Sequence, residues 1–304
     1  MKFNHGHWQK EKGMECLSPV EQYDTSFEND GTVLKICAPV RKIYNRGCTL
    51  NVPVITIRIS IPAPGVYTIR LTHFEGQKGY VPSFCIDAVP EMLDVHCEGG
   101  STVIENDGAK LIIKEDMTME FYQEERYLTR IKPKDIMYVR QDGHGEAYIS
   151  PDDINYMCAS TNLSVDEHIY GLGERFTAFV KNGQVVQMWN DDGGTSTQLS
   201  YKNVPFYMSD RGYGVFVNNT GKVEYEVGSE IAQRVQFSVL GESLEFSVIC
   251  GADNEYGRMK DVLVKYTGLT GRPPVLPAWS FGLWLSTSVT TDYDEKTVKG
   301  FIDE

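Results

Sequence analysis

Two aspartates followed by two glycines form the first feature of this sequence that could hold a ligand. Asp191 and Asp192 precede Gly193 and Gly194 within the stretch WNDDGGTSTQ, residues 189–198. A carboxylate can accept hydrogen bonds from two neighbouring hydroxyl groups, and glycine lets the backbone approach a ligand closely. The same residues are also typical of an aspartate-led turn with a purely structural role. From the residues alone, both interpretations stay open.

An acid beside a base, Glu174 and Arg175, ends the stretch IYGLGER, residues 169–175. Such a pair could suggest catalysis, but we favour a structural role. Gly171 and Gly173 are expected to shape a bend, because glycine adopts backbone conformations that other residues avoid. The two charged side chains are then expected to satisfy backbone and loop groups around that bend.

Cysteines and histidines predict neither a metal site nor a cofactor. The closest of the seven cysteines, Cys37 and Cys48, are eleven residues apart, so no pair has the spacing of a zinc or redox site. We expect free, mostly buried thiols in a reducing compartment. His5 and His7 are expected to be an ordinary surface pair, and the other four histidines form no recognisable group.

The composition limits the classes of partner. The 304 residues carry 42 acidic and 29 basic side chains, a net charge of −13. This field repels phosphate backbones and no local basic patch offsets it, so we expect no nucleic-acid partner. No apolar run approaches the roughly 18 residues that cross a bilayer. Residues 1–13 also lack the apolar stretch of a secretory signal, so the protein is expected to be soluble and cytoplasmic, without a membrane partner.

Alternating apolar and polar residues predict β-strands over most of the first 250 residues. The clearest alternations cover residues 55–61, 67–71, 223–227, 235–239 and 244–248. A period of two sends the apolar side chains to one face of a sheet and leaves the polar ones in water. Turn residues separate these stretches, and helical periodicity is almost lacking. The pattern therefore predicts a mainly β fold, an antiparallel β-sandwich.

The pattern changes after residue 250. Residues 254–269 have the spacing of a helix, and the prolines of residues 273–277 indicate a connector. The apolar run 278–285 is typical of a strand buried on both faces. Asp292 could cap a following helix, with Glu295 completing a capping box.

One such strand and one helix make half of a βαβ unit, which cannot satisfy the strand's backbone groups. We therefore expect the chain to be the front of a longer polypeptide. The alternative is a short closing segment that packs back on the sandwich.

Five stretches, taken together, carry a resemblance to a known family. They are IYGLGERF (169–176), WNDDGGTSTQ (189–198), YKNVPFYM (201–208), GRP (271–273) and PAWSFGLWLS (277–286). In order and spacing they resemble glycoside hydrolase family 31, in particular its bacterial α-xylosidase branch. The resemblance covers nearly the whole chain and is densest after residue 170.

The resemblance implies a galactose-mutarotase-like β-sandwich followed by a (β/α)8 barrel. In this sequence it places the sandwich at residues 1–250, a helical and proline-rich connector at 251–277, and the start of a truncated barrel at 278–304, with its first strand near 279–285. Family members are retaining α-glycosidases with two catalytic aspartates. Hydrolysis with retention of the anomeric configuration needs two carboxyl groups roughly 5–5.5 Å apart. Both aspartates lie on later barrel strands, so the resemblance implies no catalytic residue and no activity in this chain alone, and no cofactor.

The same resemblance implies three substrate-binding positions. In the family, a loop from the sandwich presents an aspartate to the sugar at the cleavage site, and the matching residue is Asp192. Asp191 is less favoured. Val289 stands where α-xylosidases of this branch typically carry a phenylalanine near the sugar, which leaves the sugar preference open. Trp284 could line the barrel mouth, or it could be ordinary core.

The leading hypothesis is therefore the N-terminal part of an α-xylosidase that acts on non-reducing terminal α-xylosyl units of oligosaccharides, with the sandwich supplying a loop to the sugar pocket. The first alternative is an α-glucosidase of the same family. The second is a carbohydrate-binding sandwich without catalysis, and a mutarotase activity is a more distant option. The resemblance also allows a homo-oligomer of the full-length enzyme.

Overall fold

A computed structural model of the chain defines the fold. The residues it describes are 2–5, 9–76, 84–86, 88–141, 154–191, 197–282 and 294–303. Within them the strands are, in chain order, β1 Asn4–His5, β2 Gln9–Lys10, β3 Met14–Leu17, β4 Asp24–Glu28, β5 Val33–Pro39, β6 Val54–Ala63, β7 Val66–Thr72, β8 Asp94–Glu98, β9 Ser101–Asn106, β10 Ala109–Ile113, β11 Met119–Gln123, β12 Arg126–Ile131, β13 Ile136–Gln141, β14 Ile154–Asn162, β15 Ile169–Gly171, β16 Val185–Met188, β17 Phe206–Ser209, β18 Tyr213–Val217, β19 Val223–Val227, β20 Arg234–Leu240 and β21 Ser243–Cys250. The helices are α1, Arg258–Thr270, and α2, Glu295–Asp303, and short 3-10 turns cover Asn29–Gly31, Arg46–Thr49, Pro133–Asp135 and Ala278–Phe281.

Two large antiparallel sheets form the body of the fold. The first has the order β15-β17-β18-β21-β7-β6-β5-β4, and the second has the order β16-β19-β20-β14-β13-β3. A smaller sheet, β12-β11-β10-β9-β8, and the pair β1-β2 complete the described part. The antiparallel, mainly β fold expected from the sequence is therefore confirmed.

The core lies where the inner faces of the sheets meet. Phe246 of the first large sheet packs edge-on against Phe237 of the second, with ring centroids 5.0 Å apart. Tyr67 reaches the smaller sheet, where its hydroxyl donates to the carbonyls of Ile104 and Ala109 at 3.0 and 2.9 Å. One continuous buried apolar cluster thus joins all three sheets.

All five alternating stretches are strands, β6, β7, β19, β20 and β21. The expectation that their polar side chains face water is wrong for several of them. Glu226, Gln236, Ser238 and Ser247 are buried. Part of the outer face of each large sheet is covered by another segment of chain, so a position on the outer face does not by itself mean contact with solvent.

The N-terminal segment covers the outer face of the second large sheet. Phe3 is buried against Met137, Val139 and Cys158. The buried Glu230 carboxylate accepts hydrogen bonds from the Lys2 and Phe3 amides at 2.9 and 3.2 Å and from the Asn4 side chain at 2.6 Å. A charged side chain in the loop between β19 and β20 is here the anchor of another segment of chain.

Glu226 gives this outer face a pH dependence. Burial raises the pKa of its carboxyl group, with a further contribution from the charge of Glu230. A raised folded-state pKa means that the group's stabilising contribution is complete below its unfolded pKa and is lost as the pH rises through the folded value. We expect Glu226→Gln to raise the free energy of unfolding at about pH 7 but not at about pH 4.

Urea denaturation at the two pH values tests this prediction. The Glu226 carboxylate accepts a hydrogen bond from the Ser229 hydroxyl at 2.6 Å. The side-chain oxygen of glutamine can accept the same hydrogen bond. An equal change in stability at both pH values would contradict it.

Helix α1 covers the outer face of the first large sheet. Val262 and Leu269 are buried against Val66, Phe216 and Ile249, and Tyr266 stacks on Phe206 with ring centroids 4.0 Å apart. The helix begins four residues later than the sequence predicted and ends one residue later.

The chain divides into two compact units, Met1–Thr270 and Gly271–Glu304. In the second unit, the strand expected at residues 279–285 is not formed in its described part. Ala278–Phe281 is a 3-10 turn, with Trp279 and Phe281 exposed. These residues belong to none of the described sheets and therefore lack the backbone partners of a strand. The division into three parts at residues 250 and 277 stays a prediction.

Helix α2 is present, but it starts differently from the prediction. Asp294 caps it, because its carboxylate accepts the Thr297 amide at 2.8 Å. Glu295 is therefore the first helical residue and not the third, and Asp292 lies outside the described residues. In the described part of the chain, no helix is both long and apolar enough to span a bilayer.

All seven cysteines are free, as expected, but only Cys158 and Cys250 are buried. The expectation of mostly buried thiols is therefore wrong.

Candidate functional site

A sharp bend leads the chain into the region of interest. Gly171, Leu172 and Gly173 all have positive φ, at 107°, 64° and 81°. A Cβ atom on Gly173 would lie 1.9 Å from the carbonyl oxygen of Lys202. Only glycine fits this close approach, which lets the Glu174 amide donate to the same carbonyl at 2.9 Å. The glycine-shaped bend expected from the sequence is confirmed.

The Arg175 guanidinium ties this bend to both ends of the segment that contains the two aspartates. It donates to the carbonyls of Leu172 at 3.1 Å, Gln187 at 2.9 Å and Gln198 at 2.8 Å. It also donates to the Asn203 side-chain oxygen. Burial lowers its pKa, and in the described part of the chain its partners are neutral: four oxygens and, at 3.8 Å, the Met188 Sδ atom. The structural role preferred for Arg175 is confirmed.

A second set of hydrogen bonds closes the base of the same segment. The Asn203 side-chain amide donates to Asn190 Oδ1 at 2.8 Å and to the Ser200 carbonyl at 2.9 Å. The Asp191 amide donates to the Ser200 carbonyl at 3.2 Å. Ser200 Oγ in turn donates to the Glu174 carbonyl at 2.5 Å. The residues on either side of 192–196 are thus held together by a connected polar network, which we call the Arg175 clamp.

None of the three predicted substrate-binding positions can be placed. Asp192, Trp284 and Val289 all lie outside the described residues. The clamp fixes the chain that immediately precedes Asp192, so the structure defines where that segment starts and returns. No pattern in the sequence marks Asn203 as a partner of Arg175, because residues 28 positions apart share no local periodicity.

Two cavities flank the base of this segment, and the Trp189 side chain lines both. The larger, of about 500 Å³, includes the charged residues Arg175, Asp191 and Lys222 in its wall. The smaller, of about 360 Å³, is bounded by Phe84 and Trp189 and by the amide side chains of Asn190, Asn203 and Asn219. We call it the Phe84 cleft. In the described part of the chain, no three side chains of the metal-binding types come together.

Comparison with known proteins identifies the family. Residues 56–226, more than half of the chain, match the family model described as the glycosyl hydrolase 31 N-terminal galactose mutarotase-like domain. This chain belongs to glycoside hydrolase family 31. The resemblance recognised in the sequence is therefore confirmed.

Two curated family 31 relatives align with the entire chain. An α-xylosidase, XylQ, from Lactiplantibacillus pentosus is 41% identical to it, and the chain covers 38% of that protein. An α-xylosidase from Emericella nidulans is 38% identical, and the chain covers 40% of it. The chain thus spans about two fifths of the length of the curated relatives it matches.

Solved structures of family 31 enzymes share the fold. The cycloalternan-forming enzyme of Listeria monocytogenes, in complex with a pentasaccharide substrate, superposes over 89% of this chain and 24% of its own, with a TM-score of 0.69 and 18% identity. A family 31 α-xylosidase from a soil metagenome, complexed with xylose, superposes over 84% of this chain and 35% of its own, with a TM-score of 0.56 and 18% identity. These similarities bear on the fold alone.

Proposed function

We propose that this chain is the N-terminal part of a retaining α-glycosidase that hydrolyses terminal α-xylosyl units of oligosaccharides. The observation that carries the proposal is the 41% identity to an α-xylosidase along the entire chain. The Arg175 clamp supports it, because it builds a fixed base for the segment that contains Asp192. In the proposal, Asp192 accepts hydrogen bonds from the hydroxyl groups of the sugar at the cleavage site.

The catalytic steps are assigned to residues beyond this chain. One carboxylate attacks the anomeric carbon and a second carboxylic acid protonates the leaving oxygen, so that a glycosyl-enzyme intermediate forms. Water then hydrolyses this intermediate with help from the second group, now a base. The sandwich contributes binding and not proton transfer, so we propose that the 304 residues alone turn over no substrate. Assembly of the full-length enzyme into a homo-oligomer stays a prediction.

Kinetics on the full-length polypeptide test the proposal. We expect an aryl α-xyloside to be cleaved with a higher kcat/KM than the corresponding aryl α-glucoside. Asp192→Asn should reduce kcat/KM by about tenfold or more, because a charged acceptor of hydrogen bonds is lost. Asp191→Asn, one residue away, is the matched control and should have a much smaller effect. Loss of activity in both variants alike would contradict the role given to Asp192.

The α-glucosidase alternative rests on Val289, which stands where this branch typically carries phenylalanine. Faster cleavage of the α-glucoside would favour it. The non-catalytic alternative would follow if the full-length polypeptide hydrolysed neither substrate but still bound them.

A further inference from the structure

The Phe84 cleft differs in chemistry from the rest of this acidic protein. Among the described residues that line it, none is ionisable, whereas the neighbouring larger cavity has three charged residues in its wall. The chain as a whole carries a net charge of −13. The described lining of this cavity of about 360 Å³ offers no partner to an anionic or cationic group, which favours a neutral ligand.

Two aromatic rings face this space. Trp189 is 58% exposed and Phe84 is 41% exposed. Phe84 is held in place because its amide donates to Asn218 Oδ1 at 3.2 Å and its ring lies 5.9 Å from that of Phe216. Exposed aromatic faces are suited to the apolar C–H faces of a flat ligand.

The amide side chains supply the polar part of the cleft. Asn203 is fully engaged in the Arg175 clamp. Asn190 Oδ1 accepts a hydrogen bond from the Asn203 side-chain amide at 2.8 Å. Asn219 Oδ1 accepts one from the Gly221 backbone amide at 2.7 Å. In the part of the chain that the structure describes, the NH2 groups of these two side chains donate to no protein atom, so both can donate to ligand oxygens.

We propose that the Phe84 cleft binds a neutral pyranose ring. Such a ring combines apolar C–H faces for Trp189 and Phe84 with hydroxyl oxygens for Asn190 and Asn219. The kind of ligand, a neutral oligosaccharide, rests on the proposed function. The sugar unit bound in the Phe84 cleft is a different one from the terminal xylosyl group that the proposed function assigns to Asp192.

Calorimetric titration of the full-length polypeptide with two oligosaccharides of equal length tests the charge selection. We expect cellotetraose, which is neutral, to bind weakly, with a Kd of about 1 mM. Tetragalacturonate, which is anionic, should bind at least about tenfold more weakly, since the described lining offers it no cation. Binding of both with equal affinity, or of neither, overturns the proposal.

Substitutions locate the binding to the cleft. Trp189→Ala and Phe84→Ala should each raise the Kd for cellotetraose by about tenfold, the effect typical of an aromatic anchor. Phe84 is needed beside Trp189 because Trp189 also lines the larger cavity. Phe27→Ala is the matched control, since Phe27 is 55% exposed on β4, at the opposite edge of the sheet from β15 and β17, and should leave the Kd unchanged.

Leu199→Ala separates the Phe84 cleft from the larger cavity, because Leu199 lines only the larger of these two cavities. We expect it to leave cellotetraose binding unchanged. A loss of binding in Leu199→Ala, or in Trp189→Ala but not in Phe84→Ala, places the sugar in the larger cavity and overturns the proposal. Failure of the proposed function appears in a different experiment, as a full-length polypeptide that binds cellotetraose but does not cleave an aryl α-xyloside.

Discussion

Replacing Gly173 by alanine is expected to destabilise the sandwich severely. The new Cβ would lie 1.9 Å from the Lys202 carbonyl oxygen, at a backbone φ of 81°. The carbonyl belongs to backbone and cannot rotate away as a flexible side chain would, so the bend itself must open. We expect a loss of about 4 kcal/mol or more in the free energy of unfolding, from steric overlap added to backbone strain.

Gly183 provides a matched control for this substitution. Its φ is also 81°, but a Cβ there would meet nothing within 4 Å. Gly183→Ala should therefore cost only about 1–2 kcal/mol, the strain of a left-handed conformation in a residue with a side chain. Urea denaturation of both variants measures the difference. Equal losses of stability would show that the close approach at Lys202 does not constrain the chain.

The bend could be predicted from sequence because its cause is local. Two glycines flanking Leu172 signal a conformation that other residues avoid, whatever lies around them. The strands could be predicted for the same reason, since alternation reports which face of each strand is apolar. These parts of the fold depend on residues that are close together in the chain.

The errors arose where distant segments decide the outcome. Ser238 and Gln236 look like solvent-facing positions of β20, yet both are buried: Ser238 accepts a hydrogen bond from Lys2, and Gln236 donates one to Glu230. Glu230 makes this possible by accepting backbone amides from residues more than 220 positions away. The apolar run at 278–285 indicated a strand, but its described beginning, Ala278–Phe281, is a 3-10 turn. A strand also needs neighbouring strands, and apolar composition does not supply them. In both cases the local pattern of apolar and polar residues was interpreted correctly. The sequence pattern does not show which other segments pack against those residues.

The candidate site likewise combines features that nearby residues determine with features that distant segments determine. Sequence blocks pointed to the segment around Asp192 and to the bend at Gly173, but not to the connection between them. Arg175 makes that connection by binding the carbonyls of Gln187 and Gln198 from opposite ends of the segment. The spacing of these three residues follows no helical or strand period, so only the folded arrangement reveals it.

Loss of the Arg175 clamp is the second large effect we expect. Arg175→Met keeps much of the side chain's volume but removes all of its donors, and we expect it to lower the free energy of unfolding by about 3 kcal/mol. The free energy of unfolding of Arg175→Lys should lie between those of the unsubstituted protein and Arg175→Met. One ammonium group cannot reproduce a planar guanidinium that donates to several acceptors. Arg211→Met is the matched control, since Arg211 is exposed and its guanidinium donates to a single carbonyl, that of Val165, at 3.1 Å. It should cost less than about 1 kcal/mol.

A role in positioning the Asp192 segment predicts more than lower stability. Hydrogen exchange at the Asp191 amide, which donates to Ser200, should accelerate in Arg175→Met well beyond the change at Phe237 in the core. In the full-length polypeptide, the same variant should raise KM for an aryl α-xyloside more than it lowers kcat, because it disturbs a binding segment and leaves the proposed catalytic carboxylates in place. Uniform acceleration of exchange, or a fall in kcat with KM unchanged, would contradict this role. Arg175 would then stabilise the sandwich without orienting the segment that we propose holds the sugar.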